Sequence, residues 1–252
     1  YQTAWFKCHY PREYMAALLT SVLDSQGKIA EYIAECRSLG IRLLPPDINQ
    51  SGPDFTVAGR DIRFGLAALK GVGRGFTNAV LARRQADGPF TSFPDFCQRL
   101  LDEDLNKRVL ESLIRAGAFD AMGVRRSQLL DAYEQLIDSL TRNRRKNLEG
   151  QFDLFSLGQE KPEPVELVLR DLPEFSQEEL MTMEKEVTGL YLSGHPMDAY
   201  RDTVRAQGAV PIASVLEDFA QEEGPTQFQD GQRILLAGVV AAAKTKTTKN
   251  NS

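Results

Sequence analysis

The sequence is poor in the residues from which metal centres and disulfide scaffolds are built. It contains 3 Cys and 2 His among 252 residues, and Cys8, Cys36 and Cys97 lie far apart. This spacing excludes a dense disulfide framework and gives no CxxC metal-binding pair, while the scarcity of histidine excludes a histidine-rich metal centre. We therefore expect a reducing, cytoplasmic location.

Long apolar runs and nucleotide-binding fingerprints are also missing. No apolar run reaches the length of about 18 residues that a membrane-spanning helix needs. The opening residues YQTAWFKCHYPREY do not fit a signal peptide, because their apolar run is short and interrupted by charge. The sequence has no GxxxxGK[ST] loop, no catalytic-triad spacing and no zinc pattern. These absences predict no membrane partner, no metal site and no cofactor site in this chain.

The charges that are present are distributed unevenly. The formal net charge is −5, yet residues 60–149 carry 16 basic and 12 acidic side chains, whereas residues 150–231 carry 5 basic and 17 acidic ones. A basic middle segment is suited to meeting phosphate groups, and an acidic segment would avoid them.

Apolar periodicity predicts a mainly α-helical protein. Helices are predicted over residues 11–23 and about 25–39, followed by an extended segment, LLPPDINQSGPDF, and a hairpin turning at Ala58-Gly59. Residues 65–141 are predicted to be helical, with breaks at Gly71/Gly73, Gly88-Pro89, 101–105 and 117–123. A further helix is predicted at about 176–187, opened by a capping box of Ser176 and Glu179. RILLAGVVAAAK, residues 233–244, predicts a strand.

The stretch GLAALKGVGRGFTNAVLARR, residues 65–84, is typical of a helix–hairpin–helix motif. Glycines in such a turn let the backbone approach a phosphate, and the amide groups that open the second helix bind the anion. The predicted DNA-binding residues are Lys70, Gly71, Val72, Gly73 and Arg74. The alternative is a plain turn between two helices, which also uses glycine.

A second unit of this kind covers residues 106–136 and lacks a GxG turn. We expect it chiefly to pack against the first unit around Phe119 and Leu129. Arg125 and Arg126 open its second helix and are further candidates for contact with DNA.

GQFDLFSLG, residues 150–158, places four apolar residues between a basic helix end and an acidic segment. This pattern is typical of a short peptide that docks in a partner's pocket, with Gln151 supplying an amide and Leu154 and Phe155 acting as anchors. A loop whose aromatic side chains pack back onto their own domain is an equal alternative.

Taken in order, these segments resemble the family of bacterial DNA polymerase III alpha subunits, which are replicative polymerases. The resemblance is carried by YQTAWFKCHYPREYMAALL, PPDIN, the tandem hairpins, EKEVTGLYLSGHPMDAY and ILLAGVVAAAKTKTTK. It implies a helical fold ending in the first strand of an OB-type β-barrel. The implied domains are the C-terminal part of the fingers (1–60), a tandem helix–hairpin–helix module (61–145), a linker with a clamp-binding peptide (146–175), a helical connector (176–230) and the truncated start of an OB-fold domain (231–252).

The resemblance also assigns partners. In that family a peptide after the hairpin module binds the sliding clamp, and Gln151, Asp153, Leu154 and Phe155 match its usual form, whereas Phe152 departs from the common leucine. A good clamp peptide favours the replicative enzyme over its error-prone paralogue. The implied partners are duplex primer–template DNA, the sliding clamp and other replisome subunits.

The resemblance places the catalytic palm, with its acidic residues and Mg²⁺, upstream of this chain. The chain is therefore expected to be a fragment that is inactive alone and contains no catalytic residue. Two rival interpretations remain: a hairpin module of a ligase or repair protein, and a protein-interaction scaffold whose helices only pack.

Overall fold

A computed structural model describes residues 2–23, 25–150, 167–221 and 224–240. Two compact units follow each other along the chain, Tyr1–Ser193 and Gly194–Ser252. The described residues are mainly helical, as the sequence predicts. The helices of the first unit are α1 (Gln2–His9), α2 (Pro11–Ser21), α3 (Gln26–Ser38), α4 (Arg74–Asp87), α5 (Phe93–Arg99), α6 (Lys107–Arg115), α7 (Arg126–Gly150) and α8 (Gln177–Thr188). Those of the second are α9 (Arg201–Ala206) and α10 (Ile212–Phe219).

A small sheet in the first unit supports the start of the hairpin module. Its strands, β1 (Leu43–Leu44), β2 (Thr56–Ala58) and β3 (Asp61–Arg63), lie in the order β1-β3-β2. Strands β2 and β3 form the predicted antiparallel hairpin, with Val57 opposite Ile62. Strand β1 pairs in parallel with β3, with Leu43 opposite Ile62. From the sequence alone, the residues of β1 are predicted only as extended chain.

Aromatic side chains join the two hairpin units in one core. Phe93 and Phe96 of α5 both pack edge to face on Phe119, with ring centroids 4.9 and 5.1 Å apart. Phe119 and Leu129 are each 1% exposed. Both belong to the same buried core as Phe76 and Val80 of α4, so the second hairpin packs against the first around these two residues, as the sequence predicts.

Helix α8 packs onto the hairpin module. Its capping box is confirmed, since Ser176 Oγ accepts from the amide of Glu179 and the Glu179 carboxylate accepts from the amide of Ser176. At its other end the carbonyl of Val187 accepts a hydrogen bond of 2.9 Å from the Lys70 amide. Helix α8 is thereby tied to the first hairpin turn.

The second unit is organised around one buried carboxylate. Asp218 in α10 accepts hydrogen bonds from the backbone amides of Thr226, Gln227 and Phe228, at 2.9, 2.9 and 2.8 Å. The described residues 233–240 have no regular secondary structure, which differs from the predicted strand. Among the described residues, no strand forms backbone hydrogen bonds in register with residues 233–240. Residues 241–252 lie outside the described part of the chain.

Candidate nucleic-acid interface

The first hairpin turn presents backbone and positive charge to solvent. A 3₁₀ turn, Leu66–Ala68, leads into it, and α4 follows. Leu69 and Val72 are buried at 2% and 5% exposure, so they pin the turn to the core, whereas Lys70, Gly71 and Gly73 face outward. Gly71 has a φ of +80°, a conformation that favours glycine over any other residue.

Helix α4 begins without a side-chain cap. Gly73 is its N-cap residue and offers no side chain to accept from the first amides. Within the part of the chain that the structure describes, the amide groups of Arg74 and Gly75 donate no hydrogen bond. These oriented donors, together with the positive end of the helix dipole, form an arrangement that suits an oxyanion.

Three cationic side chains lie around this turn, and only one of them forms an ion pair with a described residue. Arg74 already donates to Asp54, with Nη2 and Oδ1 2.6 Å apart. Lys70 and Arg108 are both exposed and form no ion pair within the described part of the chain. Arg108, in α6, lies so close to the turn that a Cβ on Gly71 would be 3.4 Å from its Nε. Lys70 and Arg108 are therefore the cations available to an incoming anion.

Sequence reasoning missed Arg108. It belongs to the second hairpin, and only the packing of α6 against the first turn brings it to Gly71. The available signal was its position in the first turn of a predicted helix, beside Lys107. Lys107 itself is committed to Glu134 and Asp138, at 3.1 and 3.2 Å.

The side chain of Arg126, which the sequence predicts as a DNA contact, is buried inside the second hairpin. Its side chain is 6% exposed, and its guanidinium donates to Asp120 at 2.7 Å, to Glu184 at 3.1 Å and to the carbonyl of Arg115 at 3.1 Å. Burial acts to lower the pKa of Arg126, and its bonds to Asp120 and Glu184 outweigh burial and raise it. A guanidinium enclosed in this way cannot reach a phosphate at the surface.

Arg125 is exposed but is already engaged by the protein. Its Nη1 donates to Asp171 Oδ1 at 2.9 Å and to the carbonyl of Leu172 at 2.7 Å. The sequence places Arg125 correctly at the start of a helix, and the structure adds an acidic segment that pairs with it.

The amides that open α7 are occupied by a carboxylate of the chain itself. Glu174 accepts from the amide of Arg126 at 2.8 Å and from that of Ser127 at 3.1 Å. Partial desolvation acts to raise the pKa of Glu174, and amide hydrogen bonds from Phe175, Ser127 and Arg126 outweigh it and lower the pKa. Glu174 is thus ionised at neutral pH. It occupies the helix start of the second hairpin, whereas the equivalent position in the first hairpin, at the start of α4, holds no carboxylate from the described residues.

The two glutamates of the EKE segment have structural partners rather than a shared site. Glu184 is 1% exposed; besides Arg126, it accepts from the amides of Leu192 and Ser193 at 3.1 and 2.9 Å. Glu186 lies at the surface and pairs with Arg115 at 2.7 Å. The segment therefore fastens α8 and the following turn to the second hairpin.

The proposed clamp-contacting residues Gln151, Asp153, Leu154 and Phe155 lie outside the described residues. Helix α7 runs to Gly150, directly before them.

The described part of the chain shows no metal cluster, and two of its three cysteines are buried. Within it, no group of three or more His, Cys, Asp or Glu side chains could hold a metal ion. Burial raises the pKa of Cys36 to about 11 and also raises that of Cys97, so both thiols are protonated at neutral pH. None of the helices described there is both long and apolar enough to cross a membrane.

Comparison with known proteins agrees with the geometry of the hairpins. Residues 40–129 match the helix-hairpin-helix motif family. This range includes the first turn, α4 to α6 and the start of α7.

Similarity to known proteins extends along nearly the whole chain. The chain is 42% identical over 250 residues to the DNA polymerase III subunit alpha of Neisseria meningitidis serogroup B, covering 99% of this chain and 20% of the relative. The corresponding protein of Thermus aquaticus is 39% identical over 254 residues, covering 99% of this chain and 19% of the relative. That of Mycobacterium tuberculosis H37Rv is 38% identical over 253 residues, covering 99% of this chain and 21% of the relative. The chain thus spans about one fifth of the length of these relatives.

Proposed function

We propose that this chain is a segment of a bacterial replicative DNA polymerase III alpha subunit, and that the whole protein is a DNA-directed DNA polymerase. The observation that carries the proposal is similarity to such subunits over 99% of the chain. That similarity reaches well beyond residues 40–129, the range of the hairpin motif. A ligase or repair module that shared only the hairpins would not account for it.

The polymerase reaction belongs, in this proposal, to parts of the protein outside the chain. Nucleotidyl transfer needs metal ions held by acidic residues, and we assign no catalytic residue within the chain. Its own contribution is to hold DNA and partner proteins in place during replication in the cytoplasm.

Within the chain, we propose that the first hairpin binds the phosphates of duplex primer–template DNA. The amides of Arg74 and Gly75 would donate to a phosphate oxygen at the start of α4, and Lys70 and Arg108 would supply positive charge from either side of Gly71. Gly71 lets the DNA backbone approach, because no side chain stands between the turn and the phosphate.

Such contacts do not discriminate between sequences. Backbone amides and flexible cations recognise the charge and shape of a phosphate, which is the same at every base pair. Each neutralised phosphate releases condensed counterions, so the affinity falls as salt rises. Both properties suit a polymerase, which must hold whichever duplex it has just made.

The variant Lys70→Ala with Arg108→Ala tests this proposal. If each cation neutralises one phosphate, the slope of log affinity against log salt concentration should become less negative by about 1.8. The affinity near 0.15 M salt should then fall roughly thirtyfold. Fluorescence anisotropy with a labelled primer–template duplex, titrated with the whole chain across a salt series, measures both quantities.

The matched control is Lys28→Ala with Arg60→Ala. Both residues are exposed, and the double change removes the same charge from α3 and from the β2–β3 turn. The proposal is wrong if the two double variants lose equal affinity, since net charge alone would then explain the loss.

We further propose that Gln151, Asp153, Leu154 and Phe155 bind the sliding clamp. The support is their match to the family's clamp peptide and their position directly after α7. Leu154 and Phe155 would enter an apolar pocket of the clamp while Gln151 donates its amide. Other replisome subunits complete the proposed partners.

A further inference from the structure

The two hairpins differ in what occupies the start of their second helix. At α4 the amides of Arg74 and Gly75 have no acceptor among the described residues, whereas at α7 both Glu174 oxygens accept from the amides of Arg126 and Ser127, at 2.8 and 3.1 Å. A carboxylate and a phosphodiester each carry one negative charge and present two oxygens to such amides. Glu174 is therefore bound as a phosphate would be.

The occupying side chain belongs to a short segment, residues 170–176, which we call the acidic strap. The strap lies along the first turns of α7 through several contacts. Arg170 Nε donates to Asp131 at 2.7 Å, and its carbonyl accepts from Gln128 Nε2 at 2.9 Å. Asp171 and the Leu172 carbonyl take up Arg125, the exposed cation of this turn. Both the amides and the exposed cation of the second turn are thus engaged by one segment.

One group at this helix end is left unsatisfied by the strap. Ser127, in the first turn of α7, is 7% exposed, and its hydroxyl has no hydrogen-bond partner within the described residues. A buried hydroxyl without a partner destabilises the folded state, because it loses its hydrogen bonds to water and gains none in return. Besides its two charged oxygens, a phosphodiester has two ester oxygens that a carboxylate lacks, so a bound phosphate has an acceptor left for this hydroxyl.

We propose that the acidic strap is an intramolecular competitor of DNA: Glu174 holds the second hairpin closed, and displacement of the strap exposes a second phosphate-binding position made of the Arg126 and Ser127 amides and Arg125. This inference rests on the proposed function, because it requires that the hairpin module bind duplex DNA. Among the described residues, no hydrogen bond or ion pair joins the strap to the first hairpin turn. The module therefore binds duplex DNA through the first hairpin alone while the strap lies on α7, and through both hairpins when the strap is displaced.

The test is Glu174→Gln in the whole chain. Glutamine has a similar shape but no charge, and its amide oxygen cannot replace both carboxylate oxygens. One additional phosphate contact should raise duplex affinity about fivefold near 0.15 M salt. It should also make the slope of log affinity against log salt concentration more negative by about 0.9. The matched control is Glu178→Gln, which removes the same charge from an exposed residue in the first turn of α8.

A second variant and a second measurement guard against a folding defect. Thermal unfolding shows whether Glu174→Gln remains folded, and Asp171→Asn, which leaves Glu174 in place, should give a gain between those of Glu174→Gln and Glu178→Gln. In ¹H–¹⁵N spectra, the amide signals of Arg126 and Ser127 should shift on adding duplex to Glu174→Gln more than on adding it to the unmodified chain.

The outcomes separate this inference from the proposed function. If the unmodified chain binds duplex through Lys70 and Arg108, but Glu174→Gln matches Glu178→Gln in affinity and salt dependence, the competitor role of the strap is wrong. If removal of Lys70 and Arg108 has no more effect than its charge-matched control, the proposed function itself fails.

Discussion

At the scale of single residues, the second hairpin depends on a glycine that has no room for a side chain. Gly117 has a φ of +79°, and a Cβ there would lie 2.8 Å from Arg126 Cζ and 2.7 Å from Asp120 Oδ2. Moving the buried guanidinium of Arg126 aside would break its ion pairs with Asp120 and Glu184. The turn and the ion pairs therefore require each other.

Gly117→Ala should destabilise the chain by about 3 kcal/mol, because it adds left-handed backbone strain to disruption of a buried ion pair. Gly123→Ala is the matched control. It also has a positive φ, +73°, but a Cβ there meets nothing within 4 Å, so only the strain of about 1 kcal/mol should remain. Urea unfolding of both variants measures the difference, and equal losses would show that the clash at Gly117 is relieved.

At the scale of elements, α8 acts as a brace for the hairpin module. It joins the first turn through the Val187 carbonyl and the second hairpin through Glu184, and the same Glu184 carboxylate holds the amides of Leu192 and Ser193. One buried residue thus fixes both the position of α8 and the path of the chain after it.

Glu184→Gln should lower the free energy of unfolding by about 3 kcal/mol, because it removes one partner of a buried ion pair. Glu186→Gln, two residues along the same helix, removes a surface pair with Arg115 and should cost less than 1 kcal/mol. Urea unfolding distinguishes the two. Similar costs for both changes would mean that the Glu184 pair stabilises α8 no more than a surface pair does.

Elements that are specified locally could be predicted from the sequence. The capping box of Ser176 and Glu179, the hairpin at Ala58-Gly59 and the turn at Gly71 each depend on residues a few positions apart. Strand β1 could not, because its partner β3 follows an intervening loop and β2. A two-residue strand carries no periodicity of its own.

The candidate site was predictable to the same extent. Lys70 and Gly71 follow from the local turn, but the approach of Arg108 and the burial of Arg126 depend on how helices pack. The competitor Glu174 stands 48 residues from Arg126 along the chain. Local pattern thus identifies which residues carry charge, and tertiary packing decides which of those charges are free.

At the scale of the whole molecule, α7 separates the two proposed binding functions. It has 25 residues, which corresponds to about 37 Å at 1.5 Å per residue. The second hairpin turn comes directly before its start, and the proposed clamp peptide follows its end. Attachment to a clamp that encircles DNA would keep the hairpins at a high local concentration of duplex, so two modest affinities would combine into a long residence time.

This separation predicts that the two functions can be removed independently. Leu154→Ala with Phe155→Ala should abolish binding to a purified bacterial sliding clamp, because the apolar anchors are lost, while duplex affinity stays within about twofold. Lys70→Ala with Arg108→Ala should do the reverse. Surface plasmon resonance with immobilised clamp, and anisotropy with free duplex, measure the two affinities on the same samples.

With the clamp loaded on circular DNA, the unmodified chain should dissociate at least tenfold more slowly than either double variant, since each retains only one attachment. Substitution of Gln159, which lies outside the matched peptide, by Ala is the control for the clamp arm and should leave clamp affinity unchanged. If the Leu154→Ala, Phe155→Ala variant still binds the clamp, another surface makes the contact. The proposal that this peptide binds the clamp would then be wrong. Equal dissociation rates for all variants would instead show that the two attachments do not act together, whatever their separate affinities.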